Sequence, residues 1–415
     1  MNPPVDQGRC CHVVDATMFW SPTGGGVRRY LQTKHAWLAR QPGWRHTIAV
    51  PLSSDAGADG GSAGDGSVGD NDGAGVGGDG GIVGLPSIPL PYSGGYRLPL
   101  RRHAIADRLA ALAPDLIEAG DPYVVAWAAV DAARRRGVPA VAYCHSNLEL
   151  MARLAAGRRF AAAAGRATRA YARRVYRRFD LVLAPSASMR AHLLDWGVDR
   201  VSCQPLGVDS AAFRPALASA AWRVRMGYAP QSRVLIYAGR FAAEKHLDVL
   251  AAVVRRLGAP YALLAIGAGP RPPSGERVRV LPFVAGTDEL ATAFASADAF
   301  VHAGDQETFG LSVLEAMACG TPVVARRAEG LAELVDDTVG IGVDSNRPED
   351  YAEAIAALFA SDVAAKRRAA RARAEAHDWE RVLPTLLTHY RRLLHGAAAT
   401  GVAANEPRAG AVHLR

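Results

Sequence analysis

Cysteine is scarce in this chain, and so are aromatic residues and long apolar runs. The five cysteines among 415 residues, Cys10, Cys11, Cys144, Cys203 and Cys319, are odd in number and fall at no zinc-binding spacing. That excludes a disulfide framework and a structural zinc site, and leaves free thiols. No apolar run approaches the ~20 residues that a membrane-spanning helix needs. The first twenty residues lack a basic segment followed by an apolar one and a cleavage site, so no signal peptide is read there and the expected location is the cytoplasm. Aromatic residues make up only 7% and do not alternate with the basic ones. A stacking platform for nucleic acid is therefore absent from the pattern, and no nucleic-acid partner is expected.

What is abundant is positive charge, glycine and alternating apolar segments. A net charge of +8 suits an anionic partner such as a nucleotide diphosphate or an anionic lipid surface, without choosing between them. The length exceeds one ordinary core and fits two domains. Short apolar strands alternate with helical segments, which implies doubly wound parallel sheets.

The organising stretch is Ala299 to Ala325, AFVHAGDQETFGLSVLEAMACGTPVVA. It opens and closes on buried-strand patterns, with helical spacing from Gly310 to Cys319 and a stop at Gly320 and Pro322. Within Thr308 to Ala325 the single charged residue is Glu315, set among Val313, Leu314, Ala316 and Met317. A carboxylate in such surroundings needs a partner. Glu307 lies eight residues earlier, just before the free N–H groups of the helix start, on the side where open α/β sheets bind ligands.

The run ETFGLSVLEAMACGTPVV resembles the E-x7-E signature of retaining GT-B glycosyltransferases, above all glycosyltransferase family 4. The resemblance implies a GT-B fold: two Rossmann-like doubly wound parallel-sheet domains with a cleft between them. It implies that Glu307 holds hydroxyls of the transferred sugar, that Glu315 holds the nucleotide ribose, and that Thr308, Phe309, Gly310 and Leu311 line the donor site between them. The partner is then a nucleotide sugar, GDP-mannose before UDP-glucose, with a glycan or lipid-linked acceptor. No cofactor and no metal are expected.

The rest of the chain adds to this reading. His12 to Thr17 has a strand pattern, and SPTGGGVRRY leads into a helix to about Arg40. Gly24, Gly25 and Gly26 at that turn let main-chain N–H groups face an anion, and they resemble the family's N-terminal glycine loop. Twelve of the twenty-five residues from Gly57 to Gly81 are glycine, so residues 53–81 read as a disordered insertion. Asp70-Asn71-Asp72 within it is set aside as a metal motif, because a ligand pair needs a rigid setting. His145 closes a strand at VAYCHS, where the resemblance implies contact with donor sugar or phosphate. Arg153 to Arg178 carries nine arginines. It reads as one strongly basic helix, either a solvated face or a contact with an anionic membrane.

LGVD at Leu206 to Asp209 resembles the family's linker. The expected boundaries are 1–205 for an acceptor-side domain, 206–378 for a nucleotide-sugar domain, 379–396 for a helix crossing back, and 397–415 for a disordered tail. In GRFAAEKH, the resemblance places Arg240 and Lys245 on the donor diphosphate, where cations offset charge on the leaving group. Gly267 and Gly269 in LLAIGAG form a turn that in the family passes beneath the nucleotide. The expected activity is retaining hexosyl transfer, mannosyl or glucosyl, in polysaccharide or glycolipid biosynthesis. The alternatives are a sugar-nucleotide epimerase or a phosphorylase of the same fold and, on charge alone, a non-catalytic basic nucleic-acid-binding protein; the specific motifs of the second domain disfavour both.

Overall fold

The computed structural model describes residues 10–20, 25–52, 81–90, 96–283 and 286–404. Gly24, the glycine-rich tract at 53–80 with its Asp70-Asn71-Asp72, and the tail at 405–415 lie outside the described residues.

Two parallel sheets form the frame. The first is built from β1 (Cys11–Ala16), β2 (Trp44–Pro51) and β3 (Ile82–Leu85). After a small antiparallel ribbon of β4 (Ile88–Pro89) and β5 (Arg97–Leu98) it continues with β6 (Leu116–Ala119), β7 (Ala140–Tyr143), β8 (Leu181–Ala184) and β9 (Val201–Cys203). Its order is β3-β2-β1-β6-β7-β8-β9. The second holds β10 (Arg233–Ala238), β11 (Tyr261–Ile266), β12 (Val278–Leu281), β13 (Ala299–His302), β14 (Val323–Arg326) and β15 (Gly340–Val343), in the order β12-β11-β10-β13-β14-β15. All paired neighbours in both sheets are parallel, with Val13 opposite His46 on one side of β1 and opposite Leu116 on the other.

The strands are apolar on both faces because helices cover both. Along β1, Val13 faces one cluster and Val14 another; along β10, Val234 and Ile236 face one, and Leu235 and Tyr237 the other. One cluster runs from the first sheet through Leu206, Phe213 and Trp379 to the second, so the two units share apolar packing on their facing side. Each order reverses once, beside β1 in the first sheet and beside β10 in the second. Neighbouring crossovers there leave in opposite directions and open a crevice at the strand C-termini. This is the expected pair of doubly wound α/β units.

Two helical segments depart from the sequence reading. The arginine-rich stretch is not one helix but a hairpin of Leu148–Ala155 and Gly157–Tyr176. The break is Gly157 at φ +66, a left-handed conformation that the flanking alanines conceal in the sequence. The final helix runs from Trp379 to Ala404 rather than ending at Gly396. It packs on the first unit, with Trp37 Nε1 donating to Glu380 at 2.8 Å and Tyr390 buried against Lys34.

Candidate active site

The second sheet's reversal point sends the ends of β10 and β13 into one crevice. After β10 come Gly239 and Arg240, then a single 3-10 turn, Ala243–Lys245; after β13 the chain reaches Glu307. The chain holds three lysines, Lys34, Lys245 and Lys366, and the first two are buried. Lys245 Nζ donates to Glu307 Oε1, and His302 Nε2 lies 3.3 Å from the same oxygen. The Gly304 N–H donates to His302 Nδ1 at 3.2 Å, which assigns the ring proton to Nε2 and aims it at Glu307. Burial alone would raise the Glu307 carboxyl, but the Lys245 charge and the His302 contact hold it well below the usual carboxylate range. Glu307 is thus an oriented anion. Arg240 is exposed and pairs with Glu244 at 3.0 Å.

Beside Glu307 begins the helix Leu311–Ala318, whose first N–H groups have no intrahelical acceptor. Gly310 precedes it at φ +100, where a Cβ would also meet Leu331 Cδ2 at 2.5 Å. The space at Gly267 and Gly269 is taken by the protein itself. A Cβ there would sit 1.9 Å from the Gly239 carbonyl oxygen and 2.4 Å from that of Phe241. These glycines let the β11 turn close on the loop that carries Arg240. Phe309 turns into the core, 6.0 Å from the His377 ring, so its side chain is not part of the crevice.

The first sheet faces this constellation through the end of β7 and the start of the helix Gly26–Leu38. Thr308 Oγ1 donates to the His145 carbonyl at 2.9 Å, which ties the two units together at the site. The His145 ring stacks on Tyr143 at 4.3 Å and meets the edge of Tyr30 at 5.5 Å. Its Nε2 is buried with no hydrogen-bond partner among the described residues. Burial pushes its pKa down to about 3, so the imidazole is neutral near pH 7. Beneath it Lys34 Nζ reaches Asp15 Oδ1 at 2.8 Å, Glu118 Oε1 at 3.1 Å and the Tyr390 hydroxyl at 2.6 Å. A Cβ on Gly25 would meet nothing, whereas one on Gly26 would strike Leu311 Cδ1 at 2.7 Å.

Glu315 is buried, and its partner here is Arg29 from the first unit. The demand for a partner was legible in its apolar neighbours; which residue would meet it was not, because Arg29 is 286 positions away. His302, Arg29 and Lys34 were all missed as site residues. A histidine closing the strand AFVH at a ligand-binding edge was the one available signal. With Lys245 on Glu307 and Arg29 on Glu315, each glutamate is paired with a cation of the protein. An open cavity of about 1140 Å³ lies alongside, with walls that include Glu244, His246, Asp305, Gln306 and, from the first unit, Leu154.

Two facing doubly wound units, with cations and an oriented glutamate at the reversal point of the second, are the arrangement of the GT-B fold. Residues 24–212 match the model of Glycosyltransferase Family 4, and residues 232–361 that of Glycosyl transferases group 1. The chain belongs to this family. It is 33% identical over 323 residues to a GDP-mannose-dependent alpha-(1-6)-phosphatidylinositol dimannoside mannosyltransferase of Mycobacterium tuberculosis, covering 73% of this chain and 80% of that one. Among solved structures, sucrose-phosphate synthase from Thermosynechococcus elongatus superposes with a TM-score of 0.74 at 20% identity, over 93% of this chain and all of that one. Anabaena HepE in complex with UDP and glucose gives 0.63 at 17% identity, over 88% and 95%. Both share the fold.

Proposed function

We propose that this protein is a retaining hexosyltransferase that moves mannose, or as second choice glucose, from a nucleotide-diphosphate sugar to a lipid-linked or glycan acceptor. The observation that carries the reading is the meeting of Lys245, Glu307 and the start of helix Leu311–Ala318 at one reversal point, with His145 facing them from the first sheet. In this reading Glu307, held as an anion, accepts hydrogen bonds from hydroxyls of the donor sugar. Glu315 accepts them from the ribose. Arg240, Lys245 and the helix N–H groups meet the diphosphate, and neutral His145 offers its unpartnered Nε2 to sugar or phosphate.

The reaction breaks the bond between the anomeric carbon and the diphosphate, and the electron pair leaves with the phosphate. The acceptor oxygen bonds the same face of that carbon while its proton passes to the departing phosphate oxygen. Positive charge fixed around the diphosphate lowers the barrier because it is in place before charge develops. The protein cations fill this role in our reading, without a metal.

GDP-mannose is favoured because the mycobacterial relative is named for it. A lipid acceptor is favoured by that relative's name, and by the tip of the hairpin Leu148–Ala155 and Gly157–Tyr176. Met151, Leu154 and Phe160 are 47%, 55% and 61% exposed there, with Arg159 beside Phe160. The more C-terminal arginines are engaged on the protein. Arg169 bonds Glu149 and Asp195, Arg177 pairs with Asp199, and Arg174 and Arg178 lie over the Trp127 ring. We therefore place a peripheral contact with the inner face of an anionic membrane at the tip rather than along the whole helix. No described helix is long and apolar enough to cross a membrane.

A panel of radiolabelled nucleotide sugars, scored for slow hydrolysis in EDTA, tests the donor. Release of mannose from GDP-mannose, or of glucose from UDP-glucose, is expected. Inertness toward every donor rejects the reading, and activity lost in EDTA but restored by Mn2+ rejects its metal-free form.

A further inference from the structure

The helices Gly26–Leu38 and Leu311–Ala318 come from different units yet start side by side, as the close approach of Gly26 to Leu311 requires. One turn along each, Arg29 Nη1 donates to Glu315 Oε1; three or four residues of helix advance about 5 Å. The Glu315 side chain is 4% exposed and that of Arg29 33%, with the guanidinium 5.9 Å from the Phe213 ring. Both helices present the positive ends of their dipoles to one point, which favours an anion there and disfavours a cation. Arg29 stays a turn below that point because Glu315 holds it.

We propose that Arg29 is a catalytic residue that exchanges partners, neutralising Glu315 in the free protein and turning to the donor diphosphate once the nucleotide ribose takes the Glu315 carboxylate. The inference rests on the ribose reading of Glu315 given above. Its geometry is favourable because side chains in a helix lean toward the helix N-terminus. A diphosphate over Leu311 is therefore on the side toward which Arg29 already leans. Arg29 adds a cation from the first unit to Arg240 and Lys245 of the second, and its planar fork fits two phosphate oxygens as an ammonium does not. Displacing it also avoids a cost: Glu315 passes from one partner to another and is never left buried and bare. The two parts of a nucleotide then sense Arg29 with opposite sign. Ribose competes with it, and diphosphate recruits it.

Calorimetric titration of the full chain separates these effects, using guanosine and uridine, their 2′-deoxy forms, GDP and UDP. Arg29→Gln should bind the preferred nucleoside more tightly than the wild type, with no such gain for the 2′-deoxynucleoside. The ratio of diphosphate to nucleoside affinity should fall about tenfold or more. Arg29→Lys, which keeps the charge without the fork, should give an intermediate ratio and serves if Arg29→Gln does not fold. Nucleoside and diphosphate affinities that scale together, or do not change, overturn the exchange. Glu315→Gln is the control for the underlying reading: if it leaves nucleoside binding intact, the ribose assignment falls. If it weakens that binding while the Arg29 ratio stays fixed, only the exchange falls.

Discussion

Replacing Lys34 by Met tests how the first unit and the final helix are joined. Lys34 is fully buried, and its three contacts, to Asp15, Glu118 and Tyr390, come from two strands and from a helix more than 350 residues away. Removing one partner of a buried charge network costs about 3–5 kcal/mol, because the remaining charges are left without compensation. Asp15 keeps His46, whose Nε2 lies 3.0 Å from it, and Glu118 keeps the hydroxyls of Tyr30 and Tyr390. The expected loss is therefore at the lower end, about 3 kcal/mol at pH 7, or about 3 °C in Tm for a chain of this size.

The sign of the pH dependence follows from Asp15. Burial would raise its pKa, but Lys34 and His46 outweigh that and bring it down to about 2. A carboxyl depressed in the folded state contributes stability that is present above its ordinary pKa and is lost as the pH falls through the folded value. The gap between wild type and Lys34→Met should thus be full at neutral pH and narrow as the pH falls from about 4 toward 2. Glu118, which burial raises, should take up a proton in the variant and start the narrowing at higher pH. Urea unfolding across this range reads the gap, and Lys34→Met with Glu118→Gln should recover part of it. A gap under 1 kcal/mol at pH 7, or one that widens with acid, refutes the buried-charge reasoning.

Glu307→Ala should lower kcat, while Glu315→Gln should chiefly weaken nucleotide binding; steady-state kinetics with direct titration checks the division, and survival of both properties in both variants removes the site. His145 is neutral in the folded protein but has an ordinary pKa when unfolded, so acid favours the unfolded state. Wild type should lose about 2 kcal/mol more than His145→Gln between pH 7 and pH 5 in chemical denaturation, and parallel curves would show that the ring is not held neutral. Anionic vesicles should sediment the protein at low salt, and Leu154→Glu with Phe160→Glu should abolish this where Arg173→Glu with Arg177→Glu has the smaller effect; indifference to lipid charge would place the acceptor in solution.

The parts of the fold legible in the sequence were those where neighbouring residues share one environment. Leu116–Ala119 and Arg233–Ala238 were readable to the residue because helices bury both faces of an interior parallel strand, leaving short, mainly apolar runs in which Glu118 and the leading Arg233 are the exceptions. Glu307, Glu315 and Lys245 stood out because a charge at a strand end or in an apolar helix needs a ligand or a partner. What the sequence could not supply was the identity of partners brought in by the fold: Arg29 for Glu315, and Lys245 for Glu307 itself. Gly157 was unreadable as a break because helix formers on both sides, above all the long alanine-rich stretch after it, outweigh one glycine in any local pattern. His302 and Lys34 were hidden for a similar reason. Their bonds run to Glu307, Asp15, Glu118 and Tyr390, and only the strand order brings these together.

The most direct test of the account is the configuration of the sugar it releases. With an α-linked donor such as GDP-mannose or UDP-glucose in excess, proton NMR in the first minutes of slow hydrolysis, before mutarotation, distinguishes the two anomers. Retention through Glu307, the neutral His145 and the cations around the diphosphate predicts the α-hexose as first product in the wild type, and a large drop in its rate in Glu307→Ala. First release of the β-hexose, or an unchanged rate in that variant, would contradict it.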